Sequence, residues 1–349
     1  MERSNSAHLK THVHSRYALA IQWSNRRIVL ISFIVISLAL ITPRMAFATT
    51  VNVNYVIGFA TWSGYPDSVA GFKAGLAEFG IQEGKNATFI MGKTGANKEL
   101  QTKVANKIKD TRPNLVYSLT TPGTTIIKNV LPASTPIVFS IVTYPADSGL
   151  IDSFDYSGNN LVGTSNYVSN KHYVALLRKV LPETRKISIF HRKGEPNSKI
   201  QASNILRLMK KEGIKVEILA ANSIEHLSEL AMDQVGKTDV FMTTTDTLMQ
   251  SGGEEALIAI SHQHKIPILS SNKSGILKGS TFGPVADFYT LGKMAGEKAG
   301  QILVNDVPPT QLQSELQEPP LFMVNTKAIN MMGISVSVDI RDQLIWVDK

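Results

Sequence analysis

The stretch NLVYSLTTPGTT, residues 114–125, decides the fold class of this chain. It begins with the apolar run Leu115–Tyr117, ends in hydroxyl side chains and is then broken by Pro122 and Gly123. A buried parallel strand that stops in hydroxyls and leads into a helix presents side-chain oxygens and free backbone N–H groups at one point. Such a strand end is suited to holding a small polar molecule.

A second stretch repeats this pattern further along the chain. Residues 239–246, DVFMTTTD, read as another apolar strand that ends in threonines, with Asp246 at its tip. Strand and helix patterns alternate through both halves, which is typical of a parallel sheet covered on both faces. Matched residues occur in the same order in the two halves, 123 to 133 positions apart: Phe59 and Phe190, Gly80 and Gly213, Thr120 and Thr243, and Pro136 and Pro267.

These repeats predict an α/β protein with two doubly wound parallel-sheet lobes and a hinge. The alternative is that any two α/β domains look alike at this level. We expect residues 49–165 plus 284–320 to form the N-terminal lobe, and residues 166–283 plus 321–349 to form the C-terminal lobe. The carboxyl ends of the strands would face each other, so a ligand would lie in the crevice between the lobes and draw them together.

Residues 1–48 predict a signal peptide for export. Arg26 and Arg27 precede an apolar segment of 14 residues, Ile28–Ile41, and Ala46-Phe47-Ala48 supplies the small-x-small pattern of a cleavage site. The apolar segment is shorter than the roughly 20 residues of a membrane-spanning helix. Cleavage after Ala48 is therefore favoured over a permanent membrane anchor, and the expected location is the periplasm.

Composition limits the classes of function. The chain has no cysteine, so it has neither disulfides nor a lipid-bearing cysteine. The formal net charge of +8 becomes +3 without residues 1–48, because that segment holds six basic residues and one acidic residue and leaves 30 against 27. The modest remaining charge argues against a nucleic-acid partner.

Several motifs, taken together, resemble a known family. Their order is similar to that in the solute-binding proteins of ABC importers, within the group that includes tryptophan- and tyrosine-type binding proteins. The resemblance runs from about residue 53 to residue 334. The motifs are TTPG (120–123), PIVFSIVTYPADSGLI (136–151), NNLVGTSN (159–166), EPNS (195–198), TTDT (244–247) and DFYTLGKMAGEKAGQIL (287–303).

The resemblance implies a type I periplasmic-binding fold with three crossovers between the lobes and a ligand captured in the cleft. It also implies an ABC permease in the inner membrane as the partner, and no cofactor. This chain departs from the family pattern at two positions, where Tyr144 and Asn166 stand in place of the usual Asp. If those carboxylates hold a ligand amine in the family, an ordinary amino-acid ligand is less certain here.

The candidate site is built from strand ends and the loops that follow them. Thr120, Thr121, Gly123 and Thr124 stand at a helix N-terminus, which favours a ligand carboxylate, although N-capping explains the same residues. Asp246, next to Thr245, suits an ammonium group or caps a helix. The remaining candidates are the aromatic residues Trp62, Tyr65 and Tyr144, the cleft-floor residues Ser140, Thr143, Ser270 and Ser271, the polar loop Glu195, Asn197 and Ser198, and Asp287 as a cleft or capping residue.

An enzyme is the main rival class. The mature chain has five histidines, but none has the spacing of a metal ligand, and no catalytic or metal site is expected. G-x-S-x-G, G-x-G-x-x-G and Walker loops are absent from the sequence. We therefore predict a periplasmic solute-binding protein that delivers an amino acid or amino-acid-like compound to an ABC importer. A ligand-presenting partner of a membrane sensor, or less favoured an α/β enzyme, are the alternatives.

Overall fold

The computed structural model describes residues 54–63, 65–92 and 94–348, and the predicted signal peptide lies outside them. Within these residues, no helix is both long and apolar enough to cross a membrane. The strands of the described chain are β1 (Tyr55–Ala60), β2 (Ala87–Met91), β3 (Leu115–Leu119), β4 (Ile137–Ser140), β5 (Leu161–Ser165), β6 (Lys186–Arg192), β7 (Lys215–Ala221), β8 (Val240–Thr243), β9 (Ile268–Leu269), β10 (Phe282–Val285), β11 (Glu315–Leu316), β12 (Leu321–Asn325) and β13 (Ile345–Val347).

The helices lie between the strands. Two short non-α segments accompany them, a π-helical turn at Met249–Gly253 and a 3₁₀ turn at Pro309–Gln311. The α-helices are α1 (Pro66–Glu78), α2 (Lys98–Asp110), α3 (Thr121–Val130), α4 (Asn170–Val180), α5 (Pro196–Lys211), α6 (Ile224–Asp233), α7 (Glu254–His264), α8 (Lys273–Lys278), α9 (Phe288–Val304), α10 (Thr326–Met331) and α11 (Val338–Arg341).

The strands form two sheets with the same internal order. The first sheet runs β11-β5-β4-β3-β1-β2 and the second runs β13-β12-β10-β9-β8-β6-β7. The units β2-β1-β3-β4-β5 and β7-β6-β8-β9-β10 match strand for strand, and both are parallel throughout. The prediction of two doubly wound lobes is therefore confirmed.

Each lobe has its own apolar core, which explains why these runs form strands. All five residues of β3 are buried, as a central strand covered on both faces requires. In the first lobe, Tyr117 of β3 stacks on Phe72 of α1 with ring centroids 3.8 Å apart. In the second lobe, Phe190 and Phe241 meet edge to face at 5.2 Å. Because each core closes separately, the strand ends between the lobes are free to serve a ligand.

The chain passes between the two sheets three times. It leaves β5 for α4 through residues 166–169, leaves β10 for α9 through residues 286–287, and leaves β11 for β12 through residues 317–320. The helix α9 therefore follows a strand of the second sheet but packs against α1 of the first lobe.

The contact between α1 and α9 is made backbone to backbone. A Cβ atom at Gly71 of α1 would overlap the carbonyl oxygen of Tyr289, and one at Gly292 of α9 would overlap that of Ser68. Only glycine allows two helices to approach this closely. The glycines in the segment LGKMAGEKAG thus fix α9 to the first lobe.

Candidate functional site

The carboxyl ends of the strands of both lobes enclose a small space, here called the inner cavity. Its volume of ≈ 10 Å³ is far below the about 300–1,000 Å³ of most small-molecule pockets. The lobes are therefore nearly closed, and a ligand of amino-acid size needs them further apart. The inner cavity is lined by Tyr65, Thr120, Thr121, Pro122, Ile141 and Thr143 of the first lobe, by Asn166 in the link that leaves β5, by Glu195, Asn197, Thr245, Asp246, Thr247 and Gln250 of the second lobe, and by Phe288.

Eight of the seventeen candidate site residues come together at this cavity. They are Tyr65, Thr120, Thr121, Thr143, Glu195, Asn197, Thr245 and Asp246. The strand register explains the convergence, because Leu119 pairs with Ser140 across β3 and β4, and Phe190 pairs with Thr243 across β6 and β8. Residues that follow neighbouring parallel strands therefore emerge side by side. Their role in binding stays a prediction.

The other candidates do not line the inner cavity. In the first lobe Trp62 is 3% exposed, and its carbonyl oxygen accepts hydrogen bonds from the Thr94 hydroxyl and the Ala96 N–H. The hydroxyl of Thr124 lies 2.9 Å from that of Ser118, behind the helix start. Ser140 and Gly123 are also buried in the first lobe, and Tyr144 packs on Tyr167 of the first crossover with ring centroids 5.4 Å apart; none of the three lines the inner cavity.

The remaining second-lobe candidates have local partners. Ser198 bonds the carbonyl oxygen of Glu195 at 3.1 Å, and Ser270 donates to the carboxylate of Glu254. Asp287 caps α9, since its Oδ1 accepts from the Thr290 N–H at 2.9 Å. The capping role proposed as an alternative for Asp287 is thus seen in the structure.

Sequence reasoning missed several residues of the cavity wall. Gln250 and Phe288 lie at its outer side, and Phe288 packs edge to face on Tyr65 with centroids 5.7 Å apart. Phe288 was visible only as the first residue of a predicted helix. The pair Gly252-Gly253 was the one sequence signal for the kink that places Gln250. The other missed residues are Pro122, Ile141 and Thr247, while Asn166 had been noted only as a departure from the family pattern.

The first-lobe wall is strained. Tyr65, Thr120 and Ile141 have positive φ angles of 53°, 68° and 57°, a region that side chains with a Cβ seldom adopt. Such residues cost about 1–3 kcal/mol each and persist where the surrounding structure enforces them, often at binding sites. Thr120 also caps α3, because its Oγ1 accepts from the Gly123 N–H at 3.3 Å. The wall therefore combines strain with a helix N-terminus that faces the cavity.

Three buried polar atoms of the inner cavity have no hydrogen-bond partner among the described residues. They are Oγ1 of Thr121, Nδ2 of Asn166 and Oδ1 of Asn197. The amide of Asn166 is oriented by Thr143, whose hydroxyl donates to Oδ1 at 3.0 Å, and that of Asn197 by its 2.7 Å bond to the carbonyl oxygen of Thr245. An unpaired buried polar group costs about 1–3 kcal/mol. The inner cavity therefore holds a hydroxyl, an amide N–H donor and an amide carbonyl acceptor that can each form a hydrogen bond with a ligand.

The second-lobe wall carries two carboxylates with different surroundings. Both oxygens of Asp246 are engaged: Oδ2 accepts from the Arg192 N–H and the Thr244 hydroxyl, each at 2.8 Å, and Oδ1 accepts from the Met249 N–H at 3.0 Å. The capping role of Asp246 is therefore satisfied within the protein. Asp246 therefore contributes negative charge to the cavity rather than an unpaired hydrogen-bonding atom.

Glu195 keeps one oxygen available. Its Oε2 accepts from the N–H and the hydroxyl of Thr247 at 3.0 and 2.9 Å and lies 3.9 Å from Nε of Arg192, whereas no described residue donates to Oε1. Burial, reinforced by the neighbouring Asp246 carboxylate, raises the pKa of Glu195 to about 7. Burial raises the pKa of Asp246 as well, although its three hydrogen bonds oppose the shift, so the two neighbouring carboxyl groups do not titrate independently.

The charge of the inner cavity is one-sided. Glu195 and Asp246 line it, and no Lys, Arg or His is among its described lining residues. Burial raises the pKa of the Tyr65 hydroxyl, and the charges of these two acids raise it further, so Tyr65 is a neutral phenol. The cavity therefore attracts a cation and offers neutral donors to the rest of a ligand. Among the described residues, no group of three or more His, Cys, Asp or Glu could hold a metal ion.

The family model for "ABC transporter substrate binding protein" matches residues 54–343. The chain belongs to this family. This substrate-binding protein is 28% identical over 246 residues, 69% of its length and 71% of the relative's, to a tyrosine-binding protein of Clostridioides difficile. The family and this relative are binding proteins, and the present chain is a binding protein rather than an enzyme.

Solved structures share the fold of this substrate-binding protein. A conserved domain protein of Vibrio cholerae matches with a TM-score of 0.80 at 21% identity, over 84% of this chain and 100% of the other. An ABC domain of Streptococcus pneumoniae in complex with L-Trp matches with a TM-score of 0.79 at 20% identity, over 84% and 100%. The predicted type I periplasmic-binding architecture is confirmed by these matches.

Proposed function

We propose that this substrate-binding protein captures a small amine-bearing molecule, an amino acid or an amino-acid-like compound, in the inner cavity. It then delivers the molecule to an ABC permease of the inner membrane, and it acts in the periplasm. The observation that carries the proposal is the free Oε1 of Glu195, which faces a cavity that contains two buried acids and no lining base.

The ammonium group of the ligand binds Glu195, with the Asn197 Oδ1 atom as a second acceptor. Both atoms lack partners within the described protein and line the same wall. Hydrogen bonds to a charged group contribute about 1.5–3 kcal/mol. The ligand thereby restores the pairing that these buried groups lack.

The acceptor end of the ligand faces the first lobe. The Thr121 hydroxyl and the Asn166 amide donate to a carbonyl or carboxylate oxygen, and the N-terminus of α3 adds its partial positive charge. Tyr65, Phe288 and Ile141 supply an apolar surface for the remaining part of the ligand. The tyrosine-binding relative and the L-Trp complex support a ligand of this kind.

Delivery depends on hinged closure of the lobes. In this proposal, residues 49–165 plus 284–320 move as the N-terminal lobe and residues 166–283 plus 321–349 as the C-terminal lobe, except that Pro284 and Val285 move with the C-terminal lobe because they pair with β12 of the second sheet. Contacts from both lobes to one ligand favour the closed form, which the permease would then recognise.

A thermal-shift screen of the purified protein tests the proposal. L-Tyrosine, L-tryptophan and the other amino acids are compared with N-acetyl-L-tyrosine and 3-(4-hydroxyphenyl)propionate, which lack a charged amine. We expect stabilisation by at least one amine-bearing compound and none by the blocked ones. Equal shifts with and without the amine would contradict the proposal, as would chemical conversion of a stabilising compound.

A further inference from the structure

A second and larger cavity lies beside the inner one. It has a volume of ≈ 480 Å³, is open to solvent and is here called the outer cavity. Residues of both lobes line it, so it too belongs to the space between them. Its lining consists of Ser63, Tyr65, Pro66 and Asp67 of the first lobe, Gln250, Ser251, Lys273, Ser274, Leu277 and Lys278 of the second, and Phe288.

The two cavities are separated by single side chains. Tyr65, Gln250 and Phe288 line both of them. Tyr65 and Phe288 form an aromatic edge-to-face pair, and Gln250 faces them from the second lobe. A molecule that passes between these three side chains would occupy both cavities.

The position of Gln250 depends on a break in the helical backbone. Within the π-helical turn Met249–Gly253, Gly252 has φ 111° and Ser251 has φ −100° and ψ 24°. The side chain of Gln250 is then held by Asn272, which receives its amide N–H, and by the Ser274 hydroxyl at 3.4 Å.

A buried carboxylate supports this arrangement from behind. Asn272 donates to Oε2 of Glu254 at 2.7 Å, and Ser280 donates to Oε1 at 2.7 Å. Glu254 is 2% exposed. Gln250 is therefore a fixed partition between the cavities. Asn272 and Ser274 hold its side chain, and Glu254 holds Asn272.

The two cavities differ in the charged residues that line them. The inner cavity is lined by Glu195 and Asp246 without a base, whereas the outer cavity is lined by Lys273 and Lys278 with Asp67 as the one acid among its described lining residues. Lys273 pairs with Asp287 and Lys278 with Glu255. Because a lysine ammonium has three donors, each retains donors for a further acceptor.

A free amino acid carries its ammonium and carboxylate groups on one carbon atom, whereas the two charged termini of a dipeptide are about two residues, or roughly 7 Å, apart. A dipeptide can therefore place one terminus in each of two adjoining cavities. Its first peptide carbonyl would accept from Thr121 and Asn166, which are neutral donors. Its carboxylate would then reach the lysines of the outer cavity.

We infer that the inner and outer cavities form one bipartite site for a dipeptide-sized ligand, with the ammonium group at Glu195 and the carboxylate near Lys273. This inference rests on the proposed function and names its ligand class more closely. The outer cavity binds the second residue, and the partition residues Tyr65, Gln250 and Phe288 flank the peptide link between the two.

Isothermal titration calorimetry of the purified protein with L-tyrosine and with L-tyrosyl-L-alanine tests the inference. We expect the dipeptide to bind at least tenfold more tightly. Ser251→Trp and Asp67→Trp each fill the outer cavity from a different lobe and should bring the ratio of the two affinities close to one. Ser203→Trp, at an exposed position of α5, adds the same bulk elsewhere and should preserve the ratio.

The terminal charges are tested with blocked ligands. Amidation of the dipeptide carboxylate should weaken binding about tenfold, and acetylation of its amine should weaken it more. If L-tyrosine binds as tightly as the dipeptide, or if the ratio survives both cavity-filling variants, this inference is overturned and the proposed function stands. If no amino acid and no dipeptide binds, both are overturned together.

Discussion

The two lobes have the same strand order, yet they present different chemistry to the cleft. The first lobe contributes Thr120, Thr121 and the N-terminus of α3, with positive φ angles at Thr120 and Ile141 and no charged lining residue. The second lobe contributes Glu195 and Asp246, held by an extensive hydrogen-bond network without backbone strain at its lining residues. The first-lobe wall thus offers mainly hydrogen-bond donors to a ligand, and the second-lobe wall offers mainly acceptors.

This difference suggests how a duplicated half becomes selective. Two identical walls would bind a symmetrical ligand. Opposite walls orient a ligand that has an amine at one end and an oxygen acceptor at the other, and each wall rejects the wrong end by leaving a buried group unpaired. The predictions below separate the contributions of the two walls.

The largest effect is expected at the second-lobe wall. Glu195→Gln removes the charge but keeps the shape, and we expect the affinity for L-tyrosine to fall about 30-fold, or about 2 kcal/mol, because an ammonium group loses its ionised partner. Glu183→Gln, at an exposed position outside the cleft, is the matched control. Titration calorimetry of both variants measures the difference, and an affinity equal to that of the control would remove Glu195 from the site.

The pH dependence of binding provides a test without mutation. The pKa of Glu195 is raised to about 7, so the ionised fraction rises from about a tenth at pH 6 to about nine tenths at pH 8. Only the ionised form attracts an ammonium group, and the affinity for L-tyrosine should therefore rise about tenfold over this range. The same titration on Glu195→Gln should be flat; a rise of equal size in that variant would assign the titration to another group.

A smaller effect is expected at the first-lobe wall. Thr121→Val removes a hydroxyl that has no described partner, so the affinity for L-tyrosine should fall about fivefold, or about 1 kcal/mol, while the melting temperature does not fall. Thr125→Val, one turn further along α3, serves as the control and should keep the affinity. Loss of thermal stability without loss of affinity would indicate that Thr121 is structural.

The smallest effect concerns backbone strain, which differs between the two walls. Thr120→Gly relieves a positive φ and should raise the melting temperature by about 2 °C, even after a small loss from the N-cap. Thr245 lies on the second-lobe wall and is not among the residues with positive φ. Thr245→Gly should therefore lower the melting temperature. Differential scanning calorimetry of the pair decides the point. Shifts of the same sign would show that Thr120 is not strained.

The sequence was informative wherever an apolar strand ends in polar residues. Thr120, Thr121, Thr245 and Asp246 could be placed at the cleft because the end of a buried strand is readable from the run of apolar residues. The family motif EPNS likewise led to Glu195 and Asn197. These positions depend on local patterns, and the two repeats made them comparable.

The rest of the site depends on tertiary contacts. Trp62 is of a residue type that covers ligands, but its carbonyl oxygen bonds Thr94 and Ala96, and its side chain is buried without lining the inner cavity. Phe288 reaches the cavity through a crossover, and Gln250 reaches it through a kinked turn. Neither path has a strong signature in periodicity or residue type.

The glycine-lined contact of α1 and α9 determines which part of the binding site remains assembled when the lobes separate. Backbones in direct contact leave no side chains to shear, so in the proposed closure α9 would move with the first lobe, and the bend that precedes α9 would fall in the short link at residues 286–287. Phe288 and Tyr65 would then keep their mutual position during the proposed closure. The apolar part of a ligand would bind this half of the site first, and the acids of the second lobe would complete the site when the lobes close.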